Sequence, residues 1–205
     1  MGRPARALIS RDRIAVAALE LLDEHGPAGL GMRPLAQRLG VQAPSLYHHV
    51  SGLDEVIELV HDLVDSRIDL SALADADWRR GIERFARSYR QAFLDHPNVL
   101  PVVVRRPLHA RLALRVYEGQ AGALERLGLP RPEAMRFMAL LDYIVLGSAM
   151  DVFILGFADL DQVGEDLPNL RAALAVTDVE TIDEEAFSVA LRTYLDALAE
   201  RLAQA

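Results

Sequence analysis

The sequence predicts an all-α protein of two parts: a three-helix head with a helix-turn-helix over residues 1–52, and a larger helical domain over residues 53–205. Three observations predict it. Apolar residues recur at three- and four-residue spacing in segment after segment, and no stretch alternates convincingly as a strand does. Glycine and proline punctuate these segments at helix-length intervals. Residues 33–50 hold two short helical patterns separated by a tight turn.

The first helix runs from Ser10 to His25, with Ile14, Ala18, Leu21 and Leu22 on one stripe, and stops at Gly26-Pro27. Leu35, Ala36 and Leu39 mark the second. Gly40 supplies the left-handed residue that ends it, and Val41 is the apolar plug between the helices of the pair. Pro44 opens the third helix, where a missing N–H had no intrahelical partner to lose. Leu46 and Val50 face inward, so Pro44, Tyr47 and His48 point out, with Ser45 at the edge. That outward face is small, aromatic and polar, and holds no acid.

Ser51-Gly-Leu-Asp54 is expected to form a capping box for a long helix carrying Leu53, Val56, Ile57, Val60 and Val64. A polar connection spans Ser71 to Asp77. Trp78 opens a helix with Ile82, Phe85, Ala86, Tyr89 and Phe93 inside, which stops at His96-Pro97. A short segment, Asn98 to Val104, precedes Arg105-Arg-Pro107, and another helix runs to about Leu127 before Gly128. Glu133 to about Gly156 is apolar on nearly all sides, so it is expected to be enclosed by other helices or by another subunit. Residues 158–183 are acidic and read as a loop around a short helix. The chain ends on a stripe of Phe187, Leu191, Tyr194, Leu198 and Leu202.

Composition narrows the function classes. At 205 residues and 51% hydrophobic content the chain is long enough to bury a sizeable core. It has no cysteine, hence no disulfide and no zinc thiolate site. Met1-Gly-Arg-Pro-Ala-Arg lacks the apolar core of a signal peptide, and Asp142 and Asp151 interrupt the apolar run from Met138 to Phe157, so a cytoplasmic protein without a membrane span is expected. The net charge of −8 is unevenly placed. Residues 1–50 hold six arginines against four acids, net +2, which leaves −10 for the remainder. The head carries the electrostatic footprint expected of a nucleic-acid partner, and Arg3, Arg6, Arg11 and Arg13 stand where they reach phosphates or a minor groove. No Gly-rich phosphate loop, Gly-x-Ser-x-Gly elbow or His-Glu-x-x-His helix is present, and adjacent His48 and His49 cannot chelate from one helix face, so neither an enzyme, a cofactor nor a metal site is expected.

Ile14-Ala-Val-Ala-Ala-Leu-Glu-Leu-Leu22, Leu35-Ala-Gln-Arg-Leu-Gly-Val41 and Ser45-Leu-Tyr-His-His-Val50 resemble the DNA-binding domain of the TetR family of bacterial repressors. Trp78, Ser88-Tyr-Arg-Gln-Ala-Phe93, Arg106-Pro107, Glu118-Gly-Gln120 and Leu146-Gly147 resemble the ligand-binding and dimerisation domain of its tetracycline repressor branch, over residues 53–157. The resemblance implies a DNA-binding domain at 1–52 and a ligand-binding and dimerisation domain at 53–205. It implies a homodimer that holds a palindromic double-stranded DNA operator and is released by a small organic effector. The alternative from another class is a small-molecule sensor or carrier whose head no longer binds DNA.

Site residues follow from the same resemblance. Arg33, Pro44, Ser45, Tyr47, His48 and His49 stand at DNA-contact positions; a guanidinium at Arg33 suits guanine O6 and N7, and Pro44 suits a thymine methyl. His61, Arg67, Phe85, Tyr89, Val102, Arg105, Arg106, Gln120, Met135 and Met138 stand at or beside the ligand pocket. A metal-ligating histidine of the tetracycline repressors is replaced by Val102, and their amide anchor by Phe85. An apolar or aromatic effector is therefore expected in place of a magnesium chelate. Gly147 and Ser148 are expected to let two subunits approach closely, with Phe187, Leu191, Tyr194 and Leu198 as apolar knobs across the two-fold axis.

Overall fold

The computed structural model describes residues 9–150, 166–178 and 181–204. Among the described residues there are helices and no strand. The helices are α1 (Arg11–His25), α2 (Met32–Arg38), α3 (Ala43–Leu46), α4 (Leu53–Asp65), α5 (Trp78–Leu94), α6 (Leu100–Val103), α7 (Arg111–Arg126), α8 (Arg131–Ala149), α9 (Pro168–Leu174) and α10 (Ile182–Leu202). Two compact units emerge: unit 1 is residues 1–68 with 95–116, and unit 2 is residues 69–94 with 117–205. This division differs from a boundary at residue 52, because α4 packs along α1 and belongs with the head.

In unit 1, Ser10 caps α1 by accepting the Arg13 N–H at 3.2 Å, and Ile14, Ala18, Leu21 and Leu22 are buried. Gly40 at φ 67° makes the left-handed turn between α2 and α3. Pro44 stands in the first turn of α3, and Leu46 and Val50 are buried as the pattern requires. The cap of α4 differs from the box expected on Asp54. Gly52 is the cap residue, so Glu55 occupies the third helical position, and its carboxylate accepts both the Ser51 N–H at 2.6 Å and the Ser51 hydroxyl at 2.9 Å. Val56, Ile57, Val60 and Val64 then face inward.

In unit 2, a 3-10 turn at Leu70–Ala74 lies against α5 so closely that a Cβ at Gly81 would stand 2.5 Å from the Ala72 carbonyl oxygen. That contact requires glycine. Helices α5, α8 and α10 pack on one another around Phe85, Phe93, Met138, Leu141 and the α10 stripe. Helix α8 buries Ala134, Met138, Leu141, Val145 and Ala149 and leaves Leu140, Tyr143 and, just past its end, Met150 exposed. The stretch from 151 to 156, expected to continue it, lies outside the described residues, as do Arg3, Arg6 and residues 158–165 and 179–180 of the acidic segment.

The expected dimer knobs require correction. Phe187, Leu191, Tyr194 and Leu198 are at most 2% exposed inside one chain. Phe137 meets Tyr194 edge-on with ring centroids 5.7 Å apart, and the Arg87 and Arg90 guanidiniums lie over the Phe187 ring. Ser148 is likewise engaged internally, its hydroxyl accepting from Arg90 at 3.1 Å and donating to the Val145 carbonyl at 3.0 Å. Gly147 alone of the six stands exposed, and a Cβ added there would meet nothing within 4 Å. The reason is elementary: a single apolar stripe on a helix is buried by whichever neighbour packs on it first, and α5 and α8 of the same chain supply that neighbour.

Candidate DNA interface and ligand cavities

The DNA-facing candidates lie together on unit 1. Pro44, Tyr47 and His48 are exposed, Tyr47 at 56%, while Ser45 and His49 are half-buried. Arg33, second residue of α2, is also exposed. Behind them runs a bonded frame. Arg11 donates to the His49 carbonyl at 2.9 Å and forms an ion pair with Glu55, and Glu55 in turn holds Ser51. The Ser51 N–H, the Arg11 guanidinium and the Ser51 hydroxyl together hold the Glu55 carboxyl below its usual pKa. Arg38 of α2 pairs with Glu20 and Glu24 of α1. Arg11, expected to reach phosphate, is therefore a fastener of the turn after α3. Only the placement of Glu55 one residue beyond the expected cap signals this in the sequence.

A cavity of about 200 Å³ lies in unit 1 along the face of α4 that carries Asp54, Ile57, Glu58 and His61. Val103 of α6 and the stretch 106–110 close it, and Arg106 pairs with Asp54. Burial lowers the His61 pKa, which keeps the imidazole neutral against the opposing pull of Asp62. Of the residues expected at a ligand pocket, His61 and Arg106 line this cavity. Val102 is half-buried and Arg105 exposed, both outside its lining, and Arg67 lies 3.7 Å from Asp95. Asp54, Ile57 and Glu58 were missed, although their spacing with His61 marks one helix face.

Unit 2 distributes its expected pocket residues differently. Phe85, Tyr89 and Phe93 form a buried ladder of rings 5.8 and 5.9 Å apart, Met138 is buried with them, and Met135 is 61% exposed. These four expected ligand residues, Phe85, Tyr89, Met138 and Met135, line none of the described cavities. Gln120 does. It is 3% exposed, both of its amide atoms are buried without a hydrogen-bond partner, and it lines a void of about 10 Å³ with Leu73, Ile82, Ala123, Leu141 and Tyr194. Nearby in the same unit the Tyr117 hydroxyl donates to Asp142 Oδ2, while Oδ1 is buried without a partner. Burial raises the Asp142 pKa, and burial together with the Asp142 charge raises that of Tyr194.

Comparison with known proteins gives these sites a context. Residues 14–58 match the family model of bacterial regulatory proteins, tetR family, and residues 71–202 match that of the tetracyclin repressor-like C-terminal domain. An HTH-type transcriptional regulator of Saccharopolyspora erythraea is 34% identical over 83% of this chain and 69% of its own. The class A tetracycline repressor protein from transposon 1721 of Escherichia coli is 30% identical over 90% of this chain and 88% of its own. The Streptomyces coelicolor TetR family protein ActR, solved in complex with actinorhodin, is 27% identical and superposes with a TM-score of 0.77 over 94% of this chain and 96% of its own. With both halves matched and the helix-turn-helix in place, the chain belongs to the TetR family of DNA-binding transcriptional regulators.

Proposed function

We propose that the protein is a homodimeric repressor that holds a palindromic operator and releases it when a small, largely apolar or aromatic molecule binds. The observation that carries this is the exposed, acid-free face of α3, which Leu46 anchors from below and Arg11 from behind. Arg33 reads a base, Pro44 contacts a methyl group, and Ser45, Tyr47, His48 and His49 hold the backbone or its neighbouring base edges. Two such faces engage successive major grooves only through a two-fold dimer. The exposed side chains Leu140, Tyr143 and Met150, with Gly147 among them, support α8 as the contact surface.

The cavity along α4 supports the effector reading. Its apolar wall of Ile57, Val103 and Leu108 suits a ring, and His61 and Arg106 suit a few polar groups. A ligand there bears directly on α4, whose first turn is fastened through Glu55 to the segment that follows α3. That ActR was solved with actinorhodin supports an organic effector for this chain as well.

Fragments selected from the source genome by the protein supply the operator. Tyr47→Ala is expected to weaken binding to it by tenfold or more while the melting curve stays unchanged, since Tyr47 is exposed; wild-type affinity falls steeply with salt as counterions are released. Unaltered affinity in Tyr47→Ala and Arg33→Ala together would remove the DNA-contact assignment.

A further inference from the structure

Unit 2 holds a second cavity, of about 180 Å³, walled by Trp78, Leu73, Ile82, Ala123 and Leu127. Leu73, Ile82 and Ala123 also line the void of about 10 Å³ beside Gln120, so the two spaces share a partition of three apolar side chains. The inner void has room for no more than one water. The Gln120 amide beside it is buried with neither its N–H groups nor its carbonyl oxygen bonded. Such a group forfeits hydrogen bonds it makes freely in water, a standing cost of about 1–3 kcal/mol that a bound polar group removes. An engineered apolar cavity of about 150 Å³ accepts a benzene ring, so the outer space is of ring size.

We propose that this is a binding site for a hydroxylated aromatic molecule, its ring against Trp78 and its hydroxyl passed between Leu73, Ile82 and Ala123 to the Gln120 amide. The wall supplies dispersion and burial to the ring, and the amide supplies both a donor and an acceptor to the hydroxyl. The charged side chains at the cavity, Asp75 and Arg126, stand at its outer side with Trp78, so charge plays no part at the inner end. The site shares no residue with the cavity along α4, and it stands or fails apart from the effector reading.

The test titrates the full chain with 2-naphthol and with 2-methoxynaphthalene, which keeps the rings but caps the donor. Affinity is read by calorimetry, and the site is located through fluorescence of Trp78, the one tryptophan. The wild type is expected to bind 2-naphthol about tenfold more tightly than the ether, with a change in Trp78 emission. In Gln120→Leu the preference disappears while the melting temperature holds or rises, because two orphaned polar atoms are removed. Ala123→Leu narrows the partition and is expected to weaken 2-naphthol while leaving the unit folded. The proposal is overturned if 2-naphthol does not bind, if the ether binds equally well, or if Gln120→Leu keeps the tenfold preference. Should Ala123→Leu fail to fold, Gln120→Leu decides alone.

Discussion

Glu55 in unit 1 and Asp142 in unit 2 are both carboxylates on helices, and their surroundings move them in opposite directions. Glu55 gathers the Ser51 N–H, the Ser51 hydroxyl and the Arg11 guanidinium, and its pKa falls. Asp142 has the Tyr117 hydroxyl on one oxygen and nothing on the other, and burial raises its pKa. The first arrangement fixes geometry, because every group near the turn after α3 has its partner within the chain. The second leaves hydrogen-bonding capacity unused in a dry interior, as Gln120 does too. A surface that must match DNA is best held rigid, whereas a place that takes a ligand benefits from polar groups that folding leaves unsatisfied.

The largest expected effect tests how dry the surroundings of Asp142 are. Leu198 is fully buried on the stripe that includes Tyr194. Leu198→Arg places an unpaired charge there and is expected to cost on the order of 4 kcal/mol or more, seen as loss of helical signal and of cooperative melting. Tyr143→Arg, on the side chain that is 76% exposed, is the contrasting variant. It is expected to leave the melt of the dilute chain nearly unchanged but to yield monomers in sedimentation, with operator binding lost. Monomers with an intact fold from Leu198→Arg would reassign the stripe to the subunit interface.

Much of this contrast was legible in the sequence, and the reasons for the rest are physical. The head was legible because Leu35, Leu46, Val50 and Gly40 obey local rules: short-range periodicity and one left-handed turn set the helix pair without reference to distant residues. The inward face of α10 was also legible as a stripe. What covers it was not, since periodicity says which side of a helix is apolar and never which neighbour arrives there. The exposed partners on α8, Leu140 and Tyr143, were hidden because that helix is apolar nearly all round and so offers no stripe to read. Glu55, Tyr117 and Asp142 owe their roles to contacts with particular atoms. Of these the Glu55–Ser51 bond is local enough to infer, while Tyr117 and Asp142 lie on different helices and meet only once the chain is folded.

A smaller effect separates the two carboxylates by pH. For Asp142 the folded pKa lies above the unfolded value near 3.8, so the carboxyl favours folding below that value and its contribution is lost as pH rises toward the folded value. Removing the acid together with its donor, in Asp142→Leu with Tyr117→Phe, is expected to raise the melting temperature by about 2–4 °C at pH 7, roughly 1 kcal/mol, because a buried acceptor without a partner disappears. Near pH 3 that gain should vanish. A gain of equal size at both pH values would show that packing, and not the carboxyl, is responsible.

Glu55 carries the opposite sign and the smallest magnitude. Its folded pKa lies below the unfolded value near 4.5, so its contribution is complete above that value and is lost as pH falls through the folded one. Glu55→Gln keeps the side-chain length and an acceptor for Ser51 but removes the charge that faces Arg11. With Arg11 half-exposed, the loss expected at pH 7 is about 0.5–1 kcal/mol, read by denaturant unfolding at low salt and reduced at high salt. By pH 3.5 the wild type and Glu55→Gln should converge from the other side, the wild type having weakened. Arg11→Gln is expected to reproduce the loss and to add a further one, because Arg11 also bonds the His49 carbonyl and holds the turn that carries Tyr47 and His48 toward the operator. Operator affinity should therefore fall more in Arg11→Gln than in Glu55→Gln at equal stability. Equal affinities in the two variants would mean that the frame stabilises the head without aiming it.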